Sequence, residues 1–412
     1  MIELDRNTIH FIKLVRQYLE SRGKDYTAPD FAPEVDLSAL MNIATQNKCD
    51  LLVYHTIIKW GAEFGLDAEV LRTYKERILY SAYLKLRADA ELKEVLMVLD
   101  SAGIKFMLLK GDILSSLYPD PMYRRASDAD LFVSEEYLER TEKKLLARGY
   151  KYIPNYGIKY ERTYQLGGIL TIEVHTRLFE DFYERNRPAI KTAGLEDPSS
   201  RRVVSVLDTL VETLALDHFL IYVICHHTKH FIAAGIYLRH LVDISVYIDK
   251  YHDQLNWEFI FTMLDQLGVL EFTFCILHIC QRYLGMISLS VLNNEVDEDV
   301  LLMLLHDIVE KNVDIEGMHR SSSAGKVVWD TYIYGGEGVL RSMKTNYFPS
   351  VKTLSKKYSY AKKYPILLPI AWVHRAFSYI DRKVKRQSIV SPAERAKIAK
   401  ERVALLKKVQ IL

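Results

Sequence analysis

The chain has 412 residues and a formal net charge of +2; 49% of the residues are hydrophobic and 26% are charged, which is typical of a soluble protein with ample core-forming residues. No segment reaches about 18 uninterrupted apolar residues, and the N-terminus lacks the basic and then apolar pattern of a signal peptide, so neither a membrane span nor secretion is expected. We therefore expect a cytoplasmic protein with room for two or three domains.

The first hundred residues have the periodicity of helices. A long pattern from Ala68 to about Ala102 alternates apolar and charged residues at helical spacing, and Gly103 then breaks it. The sequence thus predicts an N-terminal helical region over residues 1–100. A shorter amphipathic stripe comes first: Phe11, Leu14, Val15 and Leu19.

Two aspartates one residue apart are the most informative feature of the chain. The apolar run Ile104–Leu109 predicts a buried strand, and Lys110-Gly111 ends it. The run Asp128–Val133 predicts a second strand, on which Asp128 and Asp130 share one face because side chains alternate along a strand. Two carboxylates on one face repel each other unless a cation lies between them, and Mg²⁺ is commonly held in this way together with substrate phosphates.

A third carboxylate follows on a predicted hairpin. Ser134 and Arg148-Gly149 mark the start and the end of a helix. Strands at Tyr160–Leu166 and Ile169–Thr176 then flank a two-residue turn of two glycines. Glu173 shares a face of the second strand with Thr171 and His175, and we expect the buried face of the hairpin to set a register that brings Glu173 beside the aspartate pair.

These motifs together resemble the bacterial "uncharacterised nucleotidyltransferase" family of the DNA-polymerase-β-like nucleotidyltransferase superfamily. The family has a Lys-Gly, a Tyr-Pro segment, an Arg, an Asp-x-Asp strand and a Glu-x-His strand in this order. The later His-x-x-x-His helix, Phe-Pro and Leu-Pro segments also have counterparts here, so the likeness covers most of the chain. The matching residues are Lys110-Gly111, Tyr118-Pro119, Arg124, Asp128, Asp130, Glu173, His175, His226, His230, Phe348-Pro349 and Leu368-Pro369.

The resemblance implies an α+β fold with a small mixed β-sheet, the polymerase-β-like palm, at residues 101–205 between an N-terminal helical region and a C-terminal helical domain at residues 206–412. It also implies that Asp128, Asp130 and Glu173 are catalytic and hold Mg²⁺ or Mn²⁺. The implied nucleotide-binding residues are Lys110, Gly111, Arg124 and Arg125.

Two details of the nucleotide-binding segment leave the interpretation open. The wider superfamily carries Gly-Gly or Gly-Ser at the turn that holds the phosphates, whereas Asp112 follows Gly111 here. An acidic residue disfavours phosphate unless it points away, although Lys110 and the two arginines can compensate. Arg124 or Arg125 could instead form surface pairs with Asp120 or Asp112.

From about Val206 onward the sequence predicts helices. Asp208 is the expected N-cap of a helix bearing Leu210, Leu214, Ile221 and Cys225, and a second helix is expected near Ile236–Ile248. His226 and His230, four residues apart, share a helix face, as do Arg239 and Asp243. Three readings of the His pair stay open: substrate-pocket residues, polar groups between helices, or zinc ligands. The predicted substrate-pocket residues are His175, His226, His230, Arg239 and Asp243. The four cysteines predict buried free thiols: Cys49, Cys225, Cys275 and Cys280.

The C-terminal tail is strongly basic. Residues 351–412 contain 16 Lys+Arg against 3 Asp+Glu, while the rest of the chain contains 39 against 50. We expect this tail to fold against the acidic remainder; contact with nucleic acid or with an anionic membrane surface are the alternatives. Ile366–Val373 is apolar enough to contact lipid or to form core.

The sequence therefore predicts a Mg²⁺-dependent nucleotidyltransferase that moves NMP from an NTP to a hydroxyl of a small molecule, sugar or protein. No specific nucleic acid partner is expected, and weak contact of the basic tail with an anionic surface is left open. Two other interpretations remain: an inactive nucleotidyltransferase fold that acts as a binding or partner module, favoured by Asp112, and a peripheral polysaccharide-assembly protein. The carboxylates argue against an inactive site, because an unused acidic cluster destabilises a fold.

Overall fold

The computed structural model describes most of the chain, and its strands form a single sheet. It describes residues 3–22, 35–62, 65–124, 128–154, 160–179, 181–197, 200–311, 348–351, 354, 356–375 and 392–411. The strands are β1 (Phe106–Leu109), β2 (Asp128–Val133), β3 (Lys151–Ile153), β4 (Glu161–Leu166), β5 (Leu170–His175), β6 (Arg201–Val206) and β7 (Thr209–Leu214).

The sheet mixes parallel and antiparallel pairs in the order β3-β4-β5-β2-β1-β7-β6. Strand β1 runs antiparallel to β2 and parallel to β7, and β2 runs parallel to β5. The two hairpins, β4–β5 and β6–β7, are antiparallel, as is the β3–β4 pair. With helices before and after this mixed sheet, the predicted α+β class is confirmed.

Helices precede, interrupt and follow the strands. Before the sheet lie α1 (Arg6–Ser21), α2 (Leu37–Gln46), α3 (Asp50–Trp60) and α4 (Ala68–Ser101). Between the strands lie α5 (Gly111–Ser115), α6 (Glu135–Ala147) and α7 (Arg187–Thr192), and after them α8 (Leu216–Ala234), α9 (Leu238–Tyr251), α10 (Trp257–Gln266), α11 (Leu270–Leu284) and α12 (Glu298–His306), the last followed by a π-helical turn at Asp307–Lys311. Near the C-terminus lie α13 (Ser359–Lys363), α14 (368–375) and α15 (Pro392–Lys408), and 3₁₀ turns occur at Pro121–Tyr123, Asp181–Asn186, Lys356–Tyr358 and Pro365–Leu367.

The chain divides into two compact units. The first comprises Met1–Lys229 with Ile236–Val313, and the second comprises His230–Gly235 with Asp314–Leu412. Within the described residues, every helix is too short or too polar to cross a bilayer. The division at residues 100 and 205 stays a prediction, although the sheet itself continues past residue 205 to the end of β7.

The predicted N-terminal helices are present. Helix α4 covers the expected span, and the Asp67 carboxylate caps it by accepting hydrogen bonds from the N–H groups of Glu69 and Val70. The outer part of α4 departs from the amphipathic pattern, because Leu79 and Leu86 are each 60% exposed. The stripe predicted on α1 is buried as expected: Phe11, Leu14, Val15 and Leu19.

The strands of the predicted palm also appear where the sequence places them. Helix α6 begins after Ser134 and ends before Gly149. Gly149 has a φ of +91°, which glycine adopts more readily than any other residue. The β4–β5 hairpin turns through Gly167 and Gly168, both at positive φ. The loop between the paired residues includes Ile169 as well, so it has one residue more than the predicted two-residue turn.

The helix predicted from Asp208 is wrong: residues 201–214 form the β6–β7 hairpin instead, and α8 begins only at Leu216. Leu207 (φ +52°) and Asp208 (φ +58°) form a left-handed turn of the kind that matches the twist of antiparallel strands. Alternating β-branched residues favour this pairing, and parallel pairing with β1 completes it. Leu210, expected in a helix core, is 76% exposed on the hairpin.

All four cysteines are buried free thiols, which confirms the prediction from their spacing. Burial raises the pKa of Cys225 and of Cys280 to about 12 each, so these thiols stay protonated and inert near neutral pH.

Leu207 generates a testable prediction about the hairpin turn. A leucine at positive φ is strained, so Leu207→Gly should raise the stability by about 0.5–1 kcal/mol and the melting temperature by a degree or more. Leu210→Gly, in the adjoining strand, is the matched control and should lower stability, because glycine weakens a strand interior. A fall in melting temperature for Leu207→Gly would contradict the left-handed turn.

Candidate active site

The parallel pairing of β2 with β5 brings two of the three predicted carboxylates, Asp130 and Glu173, together. In this register Asp130 lies directly opposite Glu173, and Asp128 lies opposite Thr171. Asp130 is 3% exposed, whereas Asp128, two residues earlier on the same face, is exposed to solvent. Strand β2 therefore carries one buried carboxylate, Asp130, and one solvent-accessible carboxylate, Asp128, on the same face.

Asp130, Glu173 and His175 form a cluster whose ligand atoms all lie within 4.8 Å of one another. Nε2 of His175 is 3.1 Å from Oδ1 of Asp130 and 3.9 Å from Oε2 of Glu173. The other ring nitrogen, Nδ1, is 4.0 Å from Oε2 of Glu161, which lies opposite His175 on β4. This imidazole thus stands between carboxylates on both sides, an arrangement that orients histidines at metal sites.

Lys110 connects Asp130 to helix α8. Its Nζ lies 2.9 Å from Oδ1 of Asp130 and 2.9 Å from Nε2 of His226. Because an ammonium group only donates hydrogen bonds, Nε2 of His226 must accept, which places the proton of this ring on Nδ1. Lys110 has φ +42° and ψ −101°, a conformation that is costly for a side chain bearing a Cβ, and such strain clusters at functional sites.

The charges in the cluster shift its pKa values in opposite directions. Burial by itself would raise the pKa of Asp130, but Lys110 and His175 outweigh burial and hold that pKa well below its usual range. Burial and the negative charges of Asp130 and Glu161 raise the pKa of Glu173 to about 7. One carboxylate therefore stays ionised while its neighbour titrates near neutral pH, a division typical of acid–base sites.

A second buried cluster lies around Asp243 on α9. Its two carboxylate oxygens accept hydrogen bonds from Nε (2.8 Å) and Nη2 (2.9 Å) of Arg124, and Oδ1 also accepts from the hydroxyl of Tyr118 at 2.7 Å. Burial opposes these charges, but the bidentate pair raises the pKa of Arg124, and Arg124 together with Arg239 lowers the pKa of Asp243. The alternative in which Arg124 forms a surface pair with Asp120 or Asp112 is wrong, because Arg124 is 4% exposed and its partner is Asp243.

One arm of the Arg124 fork faces the turn at Gly111. Its Nη1 would lie 3.7 Å from a Cβ added to that glycine, and among the described residues this buried atom has no hydrogen-bond partner. Asp112, the residue that departs from the superfamily pattern, is 8% exposed. Burial raises its pKa to about 6, and Lys85 and Arg124 act against that rise. The carboxyl group of Asp112 is thus buried, and half of it is protonated at about pH 6.

The structure brings together most of the residues that the sequence selected. Lys110, Asp130, Glu173, His175 and His226 converge, with Asp128 at the mouth. Arg124, Arg239 and Asp243 form the second cluster, His230 belongs to the second unit, and Arg125 lies outside the described residues. Sequence reasoning missed Glu161, which the alternation along β4 opposite His175 could have identified. Tyr118 is matched only as part of the Tyr-Pro motif, and no local signal predicts its hydrogen bond to Asp243.

The raised pKa of Glu173 predicts a pH-dependent loss of stability in the absence of divalent cations. Its pKa is 4.5 in the unfolded chain and about 7 when folded, so the folded state binds the extra proton and stability falls as the pH rises between these values. Glu173→Gln removes this loss, which amounts to about 3 kcal/mol. The melting temperature of the variant relative to the parent should therefore rise by several degrees from pH 4.5 to pH 8. Glu139→Gln, at an exposed position on α6, should show a constant difference. A constant difference for Glu173→Gln as well would refute the shift.

The buried Arg124–Asp243 pair predicts strong coupling in unfolding experiments. Arg124→Met leaves Asp243 buried without its ion pair and should cost about 3–5 kcal/mol, whereas Arg124→Met/Asp243→Leu should cost less than the two single changes together. The exposed Arg72–Glu76 pair is the matched control, and its removal should cost less than about 1 kcal/mol. If Arg124→Met is as stable as the parent, this pair has no structural role.

Comparison with known proteins identifies the family of the chain. Residues 33–285 match the family described as "Uncharacterised nucleotidyltransferase". An antigenic nucleotidyltransferase-like protein from Paracoccidioides brasiliensis is similar with 15% identity and a TM-score of 0.30, covering 50% of this chain and 97% of that one. A CCA-adding enzyme solved in complex with CTP is similar with 12% identity and a TM-score of 0.18, covering 84% of this chain and 92% of that one. No curated protein sequence matches the chain.

The family match spans more than half of the chain and includes both strands that carry the Asp130–Glu173 pair as well as the helix that carries His226. The chain belongs to the uncharacterised nucleotidyltransferase family.

Proposed function

We propose that the protein is a Mg²⁺-dependent enzyme that transfers NMP from an NTP to a hydroxyl group of a small molecule, a sugar or a protein. The observation that carries this proposal is the pairing of Asp130 with Glu173 on adjacent parallel strands, with Asp128 on the same face, in a chain of a nucleotidyltransferase family. In the reaction the acceptor oxygen forms a bond to the α-phosphorus, the bond from that phosphorus to the bridging oxygen breaks, and pyrophosphate leaves.

The cation would be held by Asp128, Asp130 and Glu173. Asp130 and Glu173 fit this role, because their ligand atoms lie within 4.8 Å of each other and of His175, and carboxylate oxygens are the ligands that Mg²⁺ prefers. Asp128 lies two residues before Asp130 on the same strand face and is exposed to solvent. His175 adds an imidazole nitrogen, which suits Mn²⁺ better than Mg²⁺, so both ions remain candidates. When bound, the cation stabilises negative charge on the attacking and leaving oxygens.

The side chains around the cluster would bind the triphosphate and move the proton. Lys110 forms an ion pair with Asp130 in the structure, and its ammonium would be available to a phosphate if Asp130 held a cation instead. Arg124 contributes the unpaired Nη1 beside Gly111, although most of its charge is neutralised by Asp243. Glu173, directly opposite Asp130 on the adjacent strand, would accept the proton of the acceptor hydroxyl.

The acceptor side of the site would lie along α8. His226, which accepts the hydrogen bond of Lys110, lines a small open cleft together with Phe179, Tyr222 and Lys229. Its aromatic side chains and its one basic side chain would contact the edge of a polar acceptor such as a sugar. The predicted pocket roles of His175, Arg239 and Asp243 remain part of this proposal.

Thermal shift with Mg²⁺ or Mn²⁺ and each of the four NTPs tests the proposal. Binding to the folded state should raise the melting temperature of the parent by several degrees, and Asp128→Asn/Asp130→Asn should lose that rise, because its carboxylates no longer hold the cation. Glu139→Gln, which removes an exposed charge on α6, should retain the full rise.

An equal response of the double variant and the parent would place the nucleotide site elsewhere. For the NTP that binds, mass spectrometry of metabolite mixtures should then detect an acceptor that gains the mass of NMP. Nucleotide binding without transfer to any acceptor would favour the inactive binding module instead.

A further inference from the structure

The second unit carries an exposed apolar face near its C-terminal end. Ile366 is 88% exposed, Ile370 58% and Val373 56%, and their spacing of four and three residues places them on one side of the helical segment. Tyr364, 53% exposed, precedes them. We call Tyr364, Ile366, Ile370 and Val373 the C-terminal apolar patch.

The opposite side of this segment is already packed. Leu354, Tyr358, Ala361 and Ala371 form a buried cluster against which Leu368 packs. On the same segment, the indole nitrogen of Trp372 donates a hydrogen bond to the carbonyl of Pro349 at 3.0 Å, and its ring contacts Phe348. Because the inner side forms this core, the outer aliphatic residues are an additional apolar surface and not the core of the segment.

The charged Lys, Arg, Asp and Glu residues in the sequence around the C-terminal apolar patch are all basic. Residues 338–380 contain no Asp or Glu, whereas they contain eight Lys or Arg. Lys362 and Lys363 are exposed immediately before the patch, and the ammonium of Lys363 lies 5.4 Å from the ring centroid of Tyr364. The basic residues of the stretch are Arg341, Lys344, Lys352, Lys356, Lys357, Lys362, Lys363 and Arg375.

We propose that the C-terminal apolar patch docks on an anionic lipid surface, with Lys362 and Lys363 contacting the headgroups and Ile366, Ile370 and Val373 entering the boundary of the acyl chains. An apolar helix face flanked by lysines, with an aromatic ring at the junction, is the pattern of segments that lie in a membrane interface. A stretch free of acidic residues complements the negative potential of anionic lipids.

Lipid fits this surface better than nucleic acid does. Binding to a phosphate backbone uses basic and aromatic side chains, and it gains nothing from three exposed aliphatic side chains. Insertion into an interface depends on both the aliphatic and the basic residues. This inference is independent of the proposed nucleotidyl transfer, because none of its residues belongs to the site around Asp130.

Co-sedimentation of the full chain with vesicles tests the docking. The parent should bind vesicles of phosphatidylcholine with phosphatidylglycerol, bind vesicles of phosphatidylcholine alone at least about tenfold more weakly, and lose binding in about 1 M salt. Ile366→Asp/Ile370→Asp and Lys362→Glu/Lys363→Glu should each weaken binding to the anionic vesicles at least about tenfold.

Two matched controls separate docking from general effects. Leu79→Asp/Leu86→Asp replaces two aliphatic residues on α4 that are each 60% exposed, and Lys143→Glu/Lys144→Glu reverses the charge of an exposed lysine pair on α6. Both variants should bind like the parent. The melting temperature of each variant confirms that it folds, as expected for residues this exposed.

Equal binding to neutral vesicles, or an equal loss in the controls, would overturn the proposal. Failure of the parent to bind anionic vesicles, with binding to duplex DNA or to RNA that Lys362→Glu/Lys363→Glu abolishes, would assign the surface to nucleic acid and would likewise overturn it.

Discussion

The register between β2 and β5 is the constraint on which the candidate site depends. Because side chains alternate along a strand, a slip of one residue would turn the Glu173 and His175 side chains to the opposite face from Asp130. The apolar residues between them, Leu131 and Val174 among them, are fully buried and hold this register. Packing of the apolar face of β2 and β5 therefore fixes the relative positions of Asp130, Glu173 and His175 on the other face.

The site carries more negative charge than its own cations can neutralise. Lys110 and His175 both donate hydrogen bonds to Oδ1 of Asp130. The pKa of Glu173 is raised to about 7, so without a cation Glu173 keeps its proton up to neutral pH. The strained backbone of Lys110 adds a further cost at the same place. A fold tolerates such a cluster when a ligand compensates for it, and the nucleotide with its cation that we propose would do so.

Features that depend on local sequence could be predicted, and features that depend on distant contacts could not. The limits of β2 and the shared face of Asp128 and Asp130 follow from the alternation of side chains alone. The limits of α6 follow from Ser134 and Gly149, although the Ser134 side chain does not cap the helix by a hydrogen bond. The sequence predicts a helix where the β6–β7 hairpin forms, because Asp208 suits a helix N-cap as well as a turn. Only the pairing of β7 with β1 decides between the two structures. The Arg124–Asp243 pair joins residues 119 positions apart, which no local pattern reveals.

The position of β1 in the sheet has a consequence for how the chain acquires its structure. On one side β1 pairs with β2, which follows it closely in the sequence. On the other side it pairs with β7, where Met107 lies opposite Glu212. Contacts between such distant residues slow folding, because a long loop must close before they form. During synthesis β1 therefore has one open edge until the ribosome has released residue 214, and an exposed edge is where nascent chains associate wrongly. A fragment that stops before β7 would keep the carboxylates of the site but would inherit that open edge.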